Sequence, residues 1–312
     1  MKRNILGRSG IEVTELCLGA LPMGPLQKNA SVSYNTSLIA KALEAGINFI
    51  DTAQMYRTYP PIKAAIEQTG IRPVIATKST ASTYADMQAA VDEALNELGL
   101  DCIDIFHLHA ARSKPDVFEL RNEALKCLLD NKAAGRIKAV GISCHSPQVV
   151  MAAAQRNDID VVFPIVNIEG LGIIDGTLSD MEQAIARCGE VGKGVYLMKI
   201  LGGGNLVGKY AKCLEYARSL PGHQSISIGI VSDEELDYNL RAFSGEKLPD
   251  PAAEKKIFKV VRVVCAGCGE CVETCPNEAI SMLDGKADIT TEKCIGCGYC
   301  VGCCPMFAIR KI

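Results

Sequence analysis

The chain has 312 residues, of which 48% are hydrophobic and 22% are charged, and its formal net charge is −3. This composition is typical of a globular protein, and the slightly acidic balance argues against a nucleic-acid or anionic-membrane partner. No apolar run approaches the roughly 20 residues of a membrane helix, and no apolar segment follows the basic N-terminal residues as in a secretory signal. We therefore expect a cytoplasmic protein.

Short apolar runs alternate with amphipathic segments along the first four-fifths of the chain. After an N-terminal hairpin, eight of these runs predict strands, at Glu15–Leu18, Ile47–Ile50, Pro73–Thr77, Cys102–Leu108, Ile137–Ile142, Asp160–Val166, Gly194–Lys199 and Ser225–Ile230. Several of the intervening segments end at a glycine, as helices often do. Eight such units over about 245 residues fit an α/β fold, the (β/α)8 TIM barrel, which typically has about 250 residues. An open, doubly wound sheet is the alternative, but the number and spacing of the strands favour the barrel.

The end of the chain has a different composition. Residues 244–256, SGEKLPDPAAEKK, are rich in proline, glycine and charge and predict a linker. Residues 257–312 are too few for an apolar core of their own and need another source of stability. They contain nine of the fifteen cysteines, and the pattern Cys-x-x-Cys-x-x-Cys-x-x-x-Cys-Pro occurs twice. We therefore expect a barrel in residues 1–243 and a small α+β domain in residues 257–312.

The repeated cysteine pattern predicts two iron–sulfur clusters. Three thiolates at this spacing hold one cubane cluster, and in the bacterial two-cluster arrangement the fourth cysteine binds the other cluster. The expected [4Fe–4S] ligand sets are Cys265, Cys268, Cys271 and Cys304 for one cluster, and Cys275, Cys294, Cys297 and Cys300 for the other. Structural zinc is the alternative, but zinc sites rarely use two quartets that each end in Cys-Pro. Cys303 has no predicted role. Residues 257–312 resemble bacterial-type two-[4Fe–4S] ferredoxins, which favours one-electron transfer over a purely structural role.

Four polar residues lie near the ends of three consecutive predicted strands. Asp51 follows the strand of AGINFIDTAQMY and Tyr56 lies in the loop beyond it, whereas Lys78 and His109 end the next two strands. The carboxyl ends of barrel strands share one face, where barrel active sites lie. A lysine ammonium lowers the pKa of a nearby tyrosine, and Asp51 would hold Lys78 in place. Tyr56 is then the predicted general acid for a carbonyl oxygen as hydride reaches the carbon, and His109 would orient the carbonyl.

Residues 1 to about 243 resemble the aldo-keto reductase family. The supporting segments are LGRSGIEVTELCLGA, ALEAGINFIDTAQMY, IATKS, LGLDCIDIFHLH, GRIKAVGIS and EELDYNL. The four residues Asp51, Tyr56, Lys78 and His109 match the family's catalytic tetrad in order. The resemblance implies reduction of a carbonyl, or oxidation of an alcohol, with a nicotinamide cofactor. His107 stands where the family usually has an apolar residue and is a secondary candidate.

The positions that bind the nicotinamide cofactor in the family are matched less well. The family's Gly-x-Ser-Asn is here GISC, which keeps Ser143 and loses the amide. Phe163 stands where the family often has a glutamine, with Asn167 nearby. The loop VSDEE offers acids where the family often binds the 2′-phosphate of NADPH with a base, although Asn239 keeps the adenine position. The resemblance implies a cofactor site formed by Gly19, Ser143, Asn167, Gly202, Gly203, Gly204 and Asn239. NADH is weakly favoured over NADPH, and a flavin in its place stays an alternative.

The stretch LGGGNLVGKY also fits the Gly-x4-Gly-Lys core of a phosphate-binding loop. Tyr210 follows Lys209, however, where Ser or Thr would bind magnesium. Since the glycines follow the seventh strand, where barrels often bind phosphate, we interpret Gly202, Gly203 and Gly204 as a cofactor diphosphate loop.

We therefore expect an iron–sulfur oxidoreductase that acts on a small carbonyl or alcohol, with an external redox partner protein. Hydride carries two electrons and a cluster carries one, a difference that a flavin normally bridges. One alternative is an electron-transfer protein whose barrel has lost nicotinamide chemistry. Another is a redox-neutral dehydratase or isomerase that uses the same four side chains. The sequence does not identify the substrate.

Overall fold

A computed structural model describes residues 1–252, 257–306 and 308–311 of the chain. Two short strands, β1 (Arg3–Ile5) and β2 (Glu12–Thr14), form an antiparallel hairpin before the main sheet. The next eight strands are β3 (Leu16–Gly19), β4 (Phe49–Asp51), β5 (Val74–Ser79), β6 (Ile103–Ala110), β7 (Ile137–Cys144), β8 (Val161–Pro164), β9 (Gly194–Met198) and β10 (Ser225–Gly229). They run parallel in chain order and close into a barrel where β10 pairs with both β9 and β3. The predicted TIM barrel is confirmed, and the open-sheet alternative is wrong.

Helices follow the barrel strands and pack on their outer surface. They are α1 (Val32–Glu44), α2 (Tyr59–Thr69), α3 (Tyr84–Leu98), α4 (Val117–Leu120), α5 (Asn122–Ala133), α6 (Pro147–Ala154), α7 (Leu178–Glu190), α8 (Tyr210–Ser219) and α9 (Asp233–Phe243). The sequence sets many of their ends. In α3, for example, the Thr83 hydroxyl accepts a hydrogen bond from the Asp86 amide at the start, and Gly99 ends the helix with a φ of 67°.

The barrel strands are buried on both faces, as the packing of helices around a barrel requires. Every residue of β6 is buried, including the polar Asp104, His107 and His109. Asp104 contacts the cations of Arg72 and Lys138, which explains how its charge is tolerated. His109 lies near the carboxyl end of the same strand and faces the barrel mouth. The strand therefore carries both structural and site residues.

The C-terminal residues form a small unit of short elements. Its strands and helices are β11 (Phe258–Val260), α10 (Glu270–Thr274), β12 (Ile280–Leu283), β13 (Lys286–Ile289), α11 (Tyr299–Gly302) and β14 (Ile309–Lys311). β11 pairs with β14, and β12 pairs with β13, both antiparallel. A small core of Phe258, Ala279, Ile280, Ala287 and Ile309 packs together with the cysteines. This is the small α+β domain that the cysteine pattern predicts.

The predicted linker is only partly within the described residues, since 253–256 lie outside them. Before that gap the chain runs back along the barrel. Tyr238 donates to the carbonyl of Pro249 at 3.1 Å, and the Asp250 carboxylate accepts from the Ala211 amide at 2.8 Å. Two helices of the barrel therefore hold this segment.

Among the described residues, the helices are each too short or too polar to cross a membrane.

The C-terminal domain sits on the mouth of the barrel, at the carboxyl ends of its strands. Ile295, Cys297 and Tyr299 pack into the hydrophobic core of the barrel domain. Arg112 donates to the carbonyls of Val272 and Glu273, each at 2.9 Å. The two domains thus share one continuous packed interface.

Two glycines allow the backbones of the two domains to approach closely. Gly203, in the loop after β9, has a φ of 69°, and a Cβ added there would overlap the carbonyl oxygen of Ile295. Gly298, with a φ of 80°, meets the carbonyl oxygen of Leu26 in the same way. Since only glycine adopts such angles freely and leaves this space, both positions are set by the contact between domains.

Replacing Gly203 by alanine should weaken the seating of the C-terminal domain. The matched control is Gly10→Ala, because Gly10 has a φ of 71° but nothing within 4 Å of an added Cβ. Both changes place an alanine in the strained left-handed conformation. Only Gly203→Ala adds an overlap with the Ile295 carbonyl, which should lower the stability of the interface by about 1 to 3 kcal/mol, the range for overpacking. Hydrogen exchange of residues 295–299 should rise in Gly203→Ala alone. Equal exchange in the two variants would contradict the interface.

Candidate active site at the barrel mouth

A cavity of about 830 Å³ opens at the barrel mouth and is lined by both domains. The four residues of the predicted tetrad, Asp51, Tyr56, Lys78 and His109, all line it. Asp51 is the last residue of β4, rather than the first after a strand, because the strand extends one residue further than its apolar run predicts. The strand ends therefore bring together the side chains that the sequence predicts to be close.

Asp51 and Lys78 form a buried ion pair at the base of the cavity. Lys78 Nζ lies 2.7 Å from Asp51 Oδ1, 2.8 Å from Oδ2 and 2.7 Å from the carbonyl oxygen of Thr52. These acceptors use all three donors of the ammonium. Burial raises the pKa of Asp51 and lowers the pKa of Lys78, while their mutual attraction opposes both shifts. The pair fixes the floor of the site.

Tyr56 is bonded through its hydroxyl to the C-terminal domain. Its hydroxyl lies 3.2 Å from the hydroxyl of Tyr299, and Lys78 Nζ lies 5.0 Å from the centre of its ring. Its pKa is raised, because burial, the Tyr299 phenol and the Asp51 charge all disfavour the phenolate. The expected net lowering of this pKa is therefore wrong, because burial outweighs the attraction of the Lys78 ammonium. Tyr56 is a protonated phenol, which is the form that a general acid needs.

His109 lies beside Tyr56 at the mouth, with the two ring centres 6.1 Å apart. Its Nε2 atom lies 3.4 Å from the Tyr299 hydroxyl, and its backbone carbonyl accepts from Arg121 at 2.9 Å. Burial lowers its pKa, with further contributions from the charges of Lys78 and Arg121. His109 is therefore neutral near pH 7, and the imidazole is able to donate or accept one hydrogen bond toward the cavity.

Tyr196, which the sequence interpretation missed, completes the network under the ion pair. It lies on β9, and its hydroxyl donates to Asp51 Oδ2 at 2.9 Å. That hydroxyl lies 2.8 Å from His107 Nε2, which must then be the donor. Its ring stacks on Phe163 at 3.9 Å. His107, the secondary candidate, thus supports Tyr196 beneath the site. Side chains alternate between the two faces of a strand, and Met198 on β9 lines the cavity. Tyr196, two residues earlier, is therefore expected on the same inner face.

Lys199 and His145 also line the cavity and were not predicted. Lys199 Nζ lies 3.2 Å from His145 Nε2 and 5.6 Å from the centre of the Tyr299 ring. The Lys199 backbone has a φ of 58°, a conformation that non-glycine residues rarely adopt and that is found mainly where the surroundings enforce it. Burial lowers the pKa of Lys199. The mouth thus contains a cation that faces the C-terminal domain.

The predicted nucleotide positions divide into two groups. Gly19, Ser143, Gly203 and Gly204 line the cavity. The other three residues contact neighbours within the barrel domain. Asn167 makes hydrogen bonds with Glu169 and Leu171, and Asn239 makes them with Tyr210 and Glu235. Gly202 packs against Leu171 and Leu206. The two amides that would contact a nicotinamide cofactor are therefore already committed.

The acidic loop after β10 also has a hydrogen bond within itself. The Glu235 carboxylate accepts from the Val231 amide at 2.7 Å, and both residues line the cavity. The negative charge of Glu235 at the cavity wall would repel a phosphate dianion bound next to it, such as the 2′-phosphate of NADPH. Lys209, the lysine of the phosphate-loop pattern, pairs instead with Glu169 at 2.6 Å.

The cysteines of the C-terminal domain surround two small cavities. One is lined by the quartet Cys265, Cys268, Cys271 and Cys304, and the other by the quartet Cys275, Cys294, Cys297 and Cys300. These are the two crossed ligand sets that the sequence predicts. Among the described residues, no three such side chains converge on a point as ligands of a single ion do. Quartets around a space fit the donor set of a cubane cluster.

The two quartets differ in their distance from the barrel. We call the quartet that contains Cys297 the proximal quartet, since Cys297 also lines the barrel cavity. We call the other the distal quartet, and its Cys268 is exposed to solvent. Cys297 and Cys300 flank Tyr299 in sequence, and Gln27 donates to the Cys297 carbonyl at 3.3 Å. The proximal quartet is thus part of the wall of the candidate active site.

Comparison with known proteins gives two family matches. The aldo/keto reductase family model matches residues 15–224, and the 4Fe-4S dicluster domain model matches residues 258–305. An uncharacterised oxidoreductase of Bacillus subtilis is 27% identical over 174 residues, 51% of this chain and 54% of that protein. A 6-dehydroglucose reductase of Novosphingobium aromaticivorans is 30% identical over 167 residues, 47% of this chain and 53% of that protein. The chain spans about half the length of these curated relatives.

Solved structures share the barrel. An aldo-keto reductase of Bacillus halodurans in its holo form has a TM-score of 0.64 at 20% identity, covering 80% of this chain and 92% of that one. A thermostable aldo-keto reductase solved with the inhibitor epalrestat has a TM-score of 0.60 at 20% identity, covering 80% and 96%. At this identity the likeness concerns the fold. Because the family model covers more than half of the chain, the chain belongs to the aldo/keto reductase family, and it carries a 4Fe-4S dicluster domain at its C-terminal end.

Proposed function

We propose that the protein is an iron–sulfur oxidoreductase that interconverts a small carbonyl compound and its alcohol. The observation that carries this proposal is the composition of one cavity wall. Tyr56, His109 and the Asp51–Lys78 pair share that wall with Cys297, a predicted cluster ligand. The oxidoreductase names among the curated relatives also support the proposal.

The residues of the barrel have separate roles in this reaction. Tyr56 gives its proton to the carbonyl oxygen in reduction and takes one from the hydroxyl in oxidation. His109, neutral and beside Tyr56, holds that oxygen with a second hydrogen bond. The buried Lys78 ammonium, 5.0 Å from the Tyr56 ring, stabilises the phenolate that forms when the proton leaves. Asp51 keeps this ammonium in place.

The proposal involves two kinds of electron carrier, the iron–sulfur clusters and an organic cofactor. The clusters, when bound, carry single electrons between the barrel and an external redox partner protein. A flavin bound in the cavity would supply the hydride and exchange single electrons with the clusters, whereas a nicotinamide bound alone would supply the hydride without drawing on the clusters. NADH is favoured over NADPH, because the Glu235 carboxylate borders the cavity in the loop that the family resemblance assigns to the 2′-phosphate. Cys297 borders the cavity and the exposed Cys268 faces solvent, so the proximal cluster would exchange electrons with the barrel and the distal cluster with the partner.

A second function is favoured by one observation. The side-chain amides of Asn167 and Asn239 both make hydrogen bonds within the barrel, at the positions where the family resemblance implies nicotinamide contacts. An electron-transfer protein with a docking barrel would have no need of them. Binding of NADH to the iron-loaded protein, followed by bleaching of the cluster absorbance under anaerobic conditions, separates the two functions. Bleaching supports the oxidoreductase, and failure to bind either nicotinamide supports the electron carrier.

Tyr56→Phe should abolish carbonyl reduction. The change removes the transferred proton and leaves the ring, so we expect turnover of an aldehyde and ketone panel to fall by about 10²- to 10⁴-fold. Iron content should be unchanged. Tyr84→Phe is the matched control, because it removes a tyrosine hydroxyl that is bonded to Asp130 on the outside of the barrel. Equal turnover in the wild type and in Tyr56→Phe would remove Tyr56 from the mechanism.

The pH dependence of carbonyl reduction should show no limb between pH 6.5 and 10.0, the ordinary pKa values of histidine and tyrosine. Burial lowers the pKa of His109, so the acid limb should fall below pH 6.5. Burial raises the pKa of Tyr56, so loss of the acid proton should occur above pH 10.0. The measurement is kcat/KM on the iron-loaded protein across this range. A fall in kcat/KM near pH 8 would contradict a protonated Tyr56.

Cys268→Ala should remove the distal cluster and keep the proximal one. Iron content should fall to about half, and the C-terminal domain should be destabilised while the barrel stays folded. Cys303→Ala is the matched control, because Cys303 lies in the same domain outside both quartets. Iron analysis and electron paramagnetic resonance of the reduced proteins measure the outcome. Full iron in Cys268→Ala, or a loss in Cys303→Ala, would contradict the ligand sets.

A further inference from the structure

Tyr299 brings a phenol from the C-terminal domain into the barrel site. It is the first residue of α11, and its side chain is buried. Its hydroxyl lies 3.2 Å from the Tyr56 hydroxyl and 3.4 Å from His109 Nε2. The buried tyrosines of the barrel, such as Tyr59 and Tyr210, bond to Thr77 and Asn239 of their own domain. Tyr299 instead takes partners across the interface, and both belong to the proposed active site.

The position of this hydroxyl has a chemical meaning under the proposed function. Tyr56 and His109 are the two groups assigned to the oxygen of the carbonyl or alcohol. A phenol oxygen accepts and donates hydrogen bonds much as an alcohol oxygen does. The Tyr299 oxygen therefore stands in for the substrate oxygen, bonded to the same two groups. A substrate cannot use that pair while Tyr299 holds it.

The segment around Tyr299 is held firmly by the barrel. Gly298, just before it, packs on the carbonyl of Leu26, and Gln27 donates to the carbonyl of Cys297. Lys199 Nζ lies 5.6 Å from the centre of the Tyr299 ring, within range of a cation–π contact. The hydroxyl is thus positioned by contacts on both sides of it. The adjoining cavity of about 830 Å³ leaves room for the body of a substrate.

We propose that Tyr299 occupies the substrate-oxygen position and governs access to it, so that a carbonyl or alcohol binds by displacing the Tyr299 hydroxyl. This assignment rests on the proposed function and deepens it. Selectivity follows as well, since a substrate must replace two hydrogen bonds and gain further contacts in the cavity to bind.

Tyr299→Phe tests the proposal, because it removes the competing oxygen and keeps the ring. The probe is 4-fluoroacetophenone, whose dissociation constant is measured from its 19F resonance on the oxidised, iron-loaded protein. We expect about tenfold tighter binding than in the wild type, the size of one hydrogen bond between neutral groups. In turnover, KM for a ketone should fall while kcat stays within twofold or so, a split that a general loss of packing does not produce.

The controls separate this proposal from loss of fold and from failure of the proposed function. Tyr84→Phe should bind the probe as the wild type does. In the double variant Tyr56→Phe/Tyr299→Phe the tighter binding should disappear, because Tyr56 makes the oxygen site. If Tyr299→Phe loses iron, Tyr299→Leu, which also lacks the hydroxyl, supplies the same comparison.

The outcomes are distinct. Unchanged or undetectable probe binding in Tyr299→Phe would overturn the proposal, as would tighter binding that persists in the double variant. Tighter binding that needs Tyr56, in a protein without carbonyl turnover, would support the position of Tyr299 and overturn the reductase function. Carbonyl turnover that depends on Tyr56 while Tyr299→Phe has no effect would leave the function and remove the proposed role of Tyr299.

Discussion

The buried ion pair between Asp51 and Lys78 is the interaction on which the candidate site depends. Two charges inside a protein are costly unless each is fully paired, and removing one partner leaves the other exposed to that cost. Here Lys78 has three acceptors, and Asp51 also accepts from Tyr196. Tyr196 in turn stacks on Phe163. The ion pair at the floor of the cavity is therefore fully paired, and the predicted tetrad residues above it stand on a rigid base.

The second constraint is the seating of the C-terminal domain on this mouth. In a barrel enzyme the loops at the carboxyl ends of the strands normally enclose the substrate. Here part of that enclosure is made by Ile295, Cys297 and Tyr299, which belong to a domain that also carries the cluster ligands. The residues of the predicted tetrad and a predicted cluster ligand, Cys297, thus line one cavity. This is the physical reason for treating the two domains as one enzyme.

The barrel and the cysteine quartets could be predicted because their signals are local. Alternating runs mark strands, and cysteine spacing marks ligand sets, before any tertiary contact is known. The tetrad followed from strand ends that share a face. Alternation along β9 could have placed Tyr196 on the inner face, but Tyr299 and Lys199 could not be found in this way, since what matters about each is a neighbour far along the chain. The predicted lowering of the Tyr56 pKa is wrong for a related reason. Burial raises this pKa more than the lysine lowers it, and the sequence does not reveal how deeply a loop tyrosine is buried.

The burial of the two quartets differs at one residue, and this decides which quartet a reagent in solution reaches first. Cys271, Cys275, Cys297 and Cys300 are each less than a tenth exposed, whereas Cys268 is exposed to solvent. Cys271, Cys275 and Cys300 are covered by the core of the C-terminal domain itself, and Cys297 packs against the barrel. A chelator or an oxidant therefore meets the distal quartet first, at Cys268, while the barrel shields Cys297.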